Sequence, residues 1–226
     1  MNSPSHPVNN PARAKKYFER YAQGVVIRDH SLELYDRFLE NLGEKQSLEQ
    51  LVHRVLRRKE KCRLLDLGCG NANALREIKG LFGKRVHTIG MDLLSPSIIQ
   101  GVDEFIEGDV HAQSFPGACD LILSFRSIHE MGGIRSLIPA IASSLEKGGR
   151  AYCWIRMRES PEGKTLFVGE MNEREENDLH ALATQSSMNG CTLLLQPVEV
   201  PIPVLNENAE RNTMIGGYVL LLHRPL

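Results

Sequence analysis

From Leu32 onward the apolar residues follow two rhythms. Leu32, Tyr35, Phe38, Leu39 and Leu42 fall on one face of a helix, with Asp29 or Ser31 placed to cap it. Leu48, Leu51, Val52, Val55 and Leu56 repeat that spacing, and Ser47 with Gln50 fits a capping box. At Arg63 the pattern changes to short, continuous apolar runs, which read as strands. Such runs cover 63–67, 86–91, 104–108, 119–125 and 150–157, and two longer ones close the chain near 191–200 and 213–223. Helical spacing returns between them: Ala72 to Phe82, a segment opened by Ser95-Pro96, 134–146 stopped by Gly148-Gly149, and Glu173 to Met188 ended by Asn189-Gly190. A polar helix with Tyr17, Phe18 and Tyr21 is expected over Ala12–Tyr21, after a proline-rich lead-in over 1–11. The stretches 159–172 and 201–212 read as loops. Strands alternating with helices, then a terminal strand pair, predict a doubly wound α/β sheet.

At 226 residues, one α/β domain with an added N-terminal segment is expected. A formal net charge of −1 gives no long-range pull toward nucleic acid or an anionic membrane. The exception is local: Arg54, Arg57, Arg58, Lys59 and Lys61 crowd the end of one helix. Such a run is more commonly a solvated face favoured by the helix dipole than a nucleic-acid footprint. The five cysteines are scattered without a C-x-x-C pair, and four sit in or beside apolar strand-like runs, as in a reduced, cytoplasmic protein. No apolar stretch has membrane-spanning length, and no signal-peptide core is visible.

The chemistry concentrates at Arg63-Leu64-Leu65-Asp66-Leu67-Gly68-Cys69-Gly70-Asn71-Ala72, a strand ending in an acid, a glycine-spaced turn and a helix start. A dinucleotide fingerprint requires a third glycine where this chain has Asn73, and a phosphate loop requires Lys followed by Ser or Thr. What remains resembles motif I of the class I S-adenosylmethionine-dependent methyltransferases. Other strand ends add to it. Asp92 follows the second strand about twenty residues past the loop, Asp109 follows the third, and Ser124 to His129 follow the fourth. Open α/β sheets bind ligands at these carboxyl ends, so four polar clusters there converge on one site. Taken singly, Asp66 also reads as a turn cap, Asp92 as a helix N-terminal charge and Asp109 as a plain turn residue.

The resemblance implies a seven-stranded Rossmann-like sheet in order 3-2-1-4-5-7-6, with the last strand antiparallel. Residues 60–226 would form this domain, and 1–59 a helical extension over the substrate side. It implies that Asp66, Gly68, Cys69 and Gly70 hold the methionine end of S-adenosylmethionine, its carboxylate on backbone N–H groups. Asp92 would accept from the ribose hydroxyls and Asp109 from the adenine amine, with Leu93 and Val110 on the ring faces and Ser124 and Phe125 at the fourth strand end. His129 is the candidate base, although a pocket-lining role is the commoner one for a histidine here. Tyr17, Tyr21, Arg126 and Glu130 are candidate acceptor contacts. Ala72-Asn73 departs from the family, many of whose members carry a further glycine at the first of these positions; alanine is small enough for binding to survive.

The fourth strand lacks the Asn/Asp-Pro-Pro-aromatic signature of amino-methylating nucleic-acid enzymes, and no cysteine follows a proline. Glu130 alone does not make a metal site, and none is expected. The chain is similar to small-molecule methyltransferases of the quinone-biosynthesis kind, acting as monomer or homodimer. The alternatives are a catalytically silent S-adenosylmethionine-binding protein working through a protein partner, an RNA methyltransferase using Arg54 to Arg63, and, weaker, an NAD enzyme.

Overall fold

The computed structural model describes residues 31–93, 100–125, 127–159, 166–167, 169–185, 187–201 and 214–226. The lead-in, the helix expected over Ala12–Tyr21, the segment opened by Ser95-Pro96, Arg126 and most of the 201–212 loop lie outside them.

Among the described residues two helices precede the sheet: α1 (Leu32–Asn41) and α2 (Leu48–Leu56). Ser31 caps the first by accepting from the Leu34 N–H, and Ser47 with Gln50 forms the full reciprocal box on the second. Then follow β1 (Cys62–Leu67), α3 (Asn73–Phe82), β2 (Val86–Asp92), β3 (Glu104–Glu107), β4 (Cys119–Phe125), the one-turn α4 (Ile128–Met131), α5 (Ile134–Ser144), β5 (Leu145–Glu159), α6 (Glu173–Ala183), β6 (Thr192–Pro201) and β7 (Met214–His223). The sheet runs β3-β2-β1-β4-β5-β7-β6, with a two-residue ladder at Leu166–Phe167 added to β5. β7 is antiparallel to both of its neighbours, and β3 through β5 pair in parallel. This is the expected order.

Alternation along the strands builds two cores. Leu64, Leu121, Leu123, Phe125, Tyr152 and Trp154 face the layer made by α1, α2 and α3. Leu65, Leu67, Ile122, Cys153 and Ile155 face α5 and α6. Tyr35, Phe38, Leu39, Leu51 and Val52 belong to the same continuous cluster as Leu64 and Leu75, so α1 and α2 are built into the sheet's own packing. Each fully buried leucine or valine there contributes about 1.5–3 kcal/mol of transfer free energy.

Three boundaries differ from the sequence expectation. The strand expected at 150 begins at Leu145, and α5 ends at Ser144. Cys119 pairs with Leu145 and Leu121 with Arg150, so extra residues bulge out of β5. Gly148 takes φ +75°, and a Cβ on Gly149 would stand 2.7 Å from the Glu146 carbonyl, so both glycines shape a bulge rather than stop a helix. α6 ends at Ala183, and Asn189-Gly190, both at positive φ, turn a tight bridge between Met188 and Cys191. The 159–172 stretch includes the end of β5 and the short 166–167 ladder.

Candidate functional site

Parallel register brings the expected strand ends together. Asp66 lies opposite Gly90 on one side and Leu123 on the other, Asp92 closes β2, and Phe125 pairs with Trp154. The glycine turn between β1 and α3 is tied down on the β2 side. The Gly68 N–H donates to the Met91 carbonyl at 2.7 Å, Cys69 N–H to the same oxygen at 3.3 Å, and Gly70 N–H to Asp92 Oδ2 at 2.8 Å. On the β4 side, Ser127 Oγ donates to the Leu67 carbonyl at 2.5 Å, and Ser124 Oγ reaches that oxygen at 3.1 Å. Gly68, at φ +73°, leaves no room for a side chain: a Cβ would sit 2.1 Å from Ser127 Cβ. Gly90 serves the same loop from beneath, because a Cβ there would meet Cys69 Sγ at 2.8 Å.

The Gly68, Cys69 and Gly70 N–H groups therefore face β2, and that of Ala72 turns back to the Cys69 carbonyl. The next donors are those of the first turn of α3, which starts after Ala72 with no side-chain cap. Ala72 holds φ +55°, a left-handed conformation that costs an L-residue about 1–2 kcal/mol. That is the physical reason for a glycine at this position, and the alanine here is buried in the core instead.

Asp66 is buried, and its Oδ2 accepts from the Tyr35 hydroxyl at 2.5 Å. Its Oδ1 is buried with no hydrogen-bond partner, and so is Asn73 Oδ1 at the start of α3. Burial pushes the Asp66 carboxyl up to about 7; the Tyr35 hydrogen bond opposes this and the Asp92 charge reinforces it. Burial, with Asp66 alongside, likewise raises the Tyr35 hydroxyl and the Cys69 thiol. Asp109, also buried, accepts from the His111 N–H at 3.0 Å, closing a turn of its own. Val110 is buried and Leu93 half-buried.

Ser124 is fully buried and bonded to β1 and Ser127. Phe125 packs edge-on to Tyr35 and stacks on Phe38, with centroids 5.0 and 5.2 Å away. Trp154 continues this cluster, 6.0 Å from Phe38 and edge-on to His129 at 6.2 Å. His129 and Glu130 sit on α4, directly beyond β4, with the histidine buried. Tyr17, Tyr21 and Arg126 lie outside the described residues. Among the described residues no cluster of three or more His, Cys, Asp or Glu is close enough to hold a metal, and no helix is long and apolar enough to cross a membrane.

The sequence pattern puts Tyr35 on an apolar helix face and does not reveal its hydroxyl contact. The one available signal was a phenol among hydrocarbon neighbours on a buried stripe, since a buried Tyr hydroxyl requires a partner.

A Rossmann-like sheet with acids at the ends of β1 and β2 around a glycine turn defines the class of nucleoside-cofactor α/β enzymes. A methyltransferase domain model matches residues 35–181, and the chain belongs to that family, whose methyl donor is S-adenosylmethionine. The match begins inside α1, at the tyrosine that touches Asp66. No curated protein matches the chain by sequence. Among solved structures, the fold is similar to a Haemonchus contortus phosphoethanolamine N-methyltransferase 2 crystallised with S-adenosyl-L-methionine. Identity is 12%, the TM-score 0.51, and the match covers 94% of this chain and 60% of that one. The same enzyme in complex with phosphomonomethylethanolamine and S-adenosylhomocysteine gives 12% identity and a TM-score of 0.50, over 92% of this chain and 58% of that one. The YcgJ protein of Bacillus subtilis matches 78% of this chain and 99% of its own, with 14% identity and a TM-score of 0.47. At these identities the likeness is one of fold.

Proposed function

We propose that this chain transfers a methyl group from S-adenosylmethionine to a small organic acceptor. The carrying observation is the buried, unpartnered Asp66 Oδ1 beneath an α3 N-terminus that lacks a side-chain cap. A zwitterion fits that pair: an ammonium on the lone acid oxygen and a carboxylate on the first-turn N–H groups. Asn73 Oδ1 adds a second acceptor for the ammonium. Asp92 shapes the loop through Gly70, and its carboxylate is placed for ribose hydroxyls as well. Asp109 and Val110, with Leu93, stand where the adenine is expected.

S-adenosylmethionine, when bound, supplies a methyl on a sulfonium, already activated for in-line displacement. The chain therefore has to bind, orient and exclude water. Phe125, Trp154, Phe38 and Tyr35 are packed into the core between the sheet and α1, and stiffen the β4 and β5 ends where a small acceptor is expected. In this reading His129, which lies against Trp154, takes a proton from a hydroxyl or ammonium acceptor and Glu130 contacts its polar groups, while Arg126, Tyr17 and Tyr21, outside the described residues, remain candidate contacts from the sequence. The quinone-biosynthesis kinship and a cytoplasmic setting are part of this reading; five free, buried cysteines support a reducing compartment.

Calorimetry with S-adenosylmethionine and with S-adenosylhomocysteine is the first test, with micromolar binding of both expected. Absence of binding by either would overturn the proposal. Turnover across a library of small hydroxyl, amine and quinol acceptors is the second, and binding without any turnover would favour a silent cofactor-binding protein.

A further inference from the structure

The segments that enter β1 and β2 are both basic. Arg57, Arg58, Lys59 and Lys61 precede Cys62, and Lys84 and Arg85 precede Val86. Because Cys62 pairs with Val86 in the parallel ladder, runs far apart in sequence meet at the amino edge of the sheet. Together with Leu56 and Glu60 they line a shallow, open cleft of about 640 Å³. Two of the cations are engaged: Lys59 with the buried Asp120 at 2.8 Å, and Arg58 with the Gly148 carbonyl at 3.3 Å. Arg57, Lys61, Lys84 and Arg85 are exposed, and among the described residues their side chains make no hydrogen bond or ion pair. Glu60 is the one acid lining the cleft.

This concentration of unbalanced charge stands out in a chain whose formal net charge is −1. Helix dipoles favour cations after α2 and, for Lys84 and Arg85, after α3, but it is the β1–β2 pairing that gathers both sets on one cleft. The cleft has no aromatic lining residue and only Leu56 as an apolar one. A protein partner would require apolar anchors at its centre, and base recognition would require stacking surfaces. Spaced cations without either match the phosphate backbone of a nucleic acid.

We propose that this cleft docks the phosphate backbone of a nucleic-acid strand without reading its bases or sugars. The six residues of β1 separate the cleft from the glycine turn, about 20 Å of extended chain. The docked strand is therefore held at the opposite edge from the methyl donor, as an anchor rather than as the methylated group.

Fluorescence anisotropy with a labelled twenty-nucleotide single-stranded RNA, and with DNA of the same sequence, tests this. Four phosphate contacts on a single strand give a slope of log affinity on log salt of about −2.8, or about fiftyfold weaker binding at 200 mM than at 50 mM salt. RNA and DNA are expected to bind alike. Each of Arg57→Gln, Lys61→Gln, Lys84→Gln and Arg85→Gln should reduce the slope by about 0.7. The fourfold variant should lose most binding while its Tm and cofactor affinity stay unchanged. No binding of either strand at 50 mM salt would overturn the proposal. So would an unchanged slope in the single variants, or competition by poly-glutamate at lower concentration than by unlabelled RNA, which would assign the cleft to an acidic protein.

Discussion

The Asp66 carboxyl titrates near pH 7 in the ligand-free chain, and a cofactor ammonium placed on its Oδ1 requires the ionised form. On the proposed pairing cofactor binding displaces a proton, and affinity falls as pH drops through the titration. With a ligand-free pKa of about 7 and a bound value below 5, the ratio of competent fractions between pH 7 and pH 5 is about fiftyfold, close to 2.3 kcal/mol. S-adenosylhomocysteine is a suitable probe, because its amino group stays protonated over this range. Calorimetry in two buffers of different ionisation enthalpy should report about 0.9 proton released per ligand at pH 6 and about 0.5 at pH 7. Asp66→Asn keeps the shape and the Tyr35 contact but cannot titrate, so its weaker affinity should be flat from pH 5 to 7. A wild-type affinity equally flat, with no proton release, would refute the ammonium–Asp66 pairing. Stability runs the other way. The folded-state pKa is raised above the unfolded 3.8, so this contribution is fully present below about pH 4 and is lost as pH rises through about 7. Relative to wild type, Asp66→Asn should gain most Tm at pH 8, less than half as much at pH 5 and little at pH 4.

Tyr35→Phe removes the hydroxyl that lowers the Asp66 pKa, so the midpoint of the affinity–pH curve should move upward, read by the same calorimetry. A loss of about 1.5–3 kcal/mol in denaturant unfolding accompanies it, the usual value of a hydrogen bond to a charged group. Gly68→Ala drives a Cβ into Ser127 at positive φ and should lower stability by more than 2 kcal/mol, about the level of a severe core change. Ser127→Gly in the same chain should recover part of that loss in thermal melts. His129→Ala should leave calorimetric cofactor affinity within twofold and reduce turnover by about 10²–10⁴ if the acceptor proton passes through the imidazole. Unaltered turnover would assign it to the pocket wall.

Most of the fold was legible because local pattern and tertiary demand agree. The change of rhythm at Arg63, the acid-and-glycine turn, and the Ser47–Gln50 box are short-range signals that the structure keeps. The β5 bulge was not legible, since two adjacent glycines read equally as a helix stop, and only pairing with Cys119 separates the two. Asn189-Gly190 was ambiguous for the same reason. At the site, the acids at strand ends could be placed by counting residues, because register carries them to one edge. The Tyr35–Asp66 contact could not, because it depends on how α1 lies on the sheet, 31 positions away in sequence. The meeting of 57–61 with 84–85 likewise follows from strand pairing rather than from either run alone.

The anchoring of the glycine turn to β2 has a thermodynamic consequence for the proposed donor pocket. Met91 and Asp92 hold the three loop amides, Gly68, Cys69 and Gly70, through bonds internal to the chain, so the loop's ordering entropy is spent during folding. Cofactor capture then resembles a key entering a cut lock, with fast association and little change in loop protection from hydrogen exchange. Asp92→Ala would loosen the loop as well as remove an acid, whereas Asp92→Asn keeps an acceptor for Gly70 and so separates architecture from recognition.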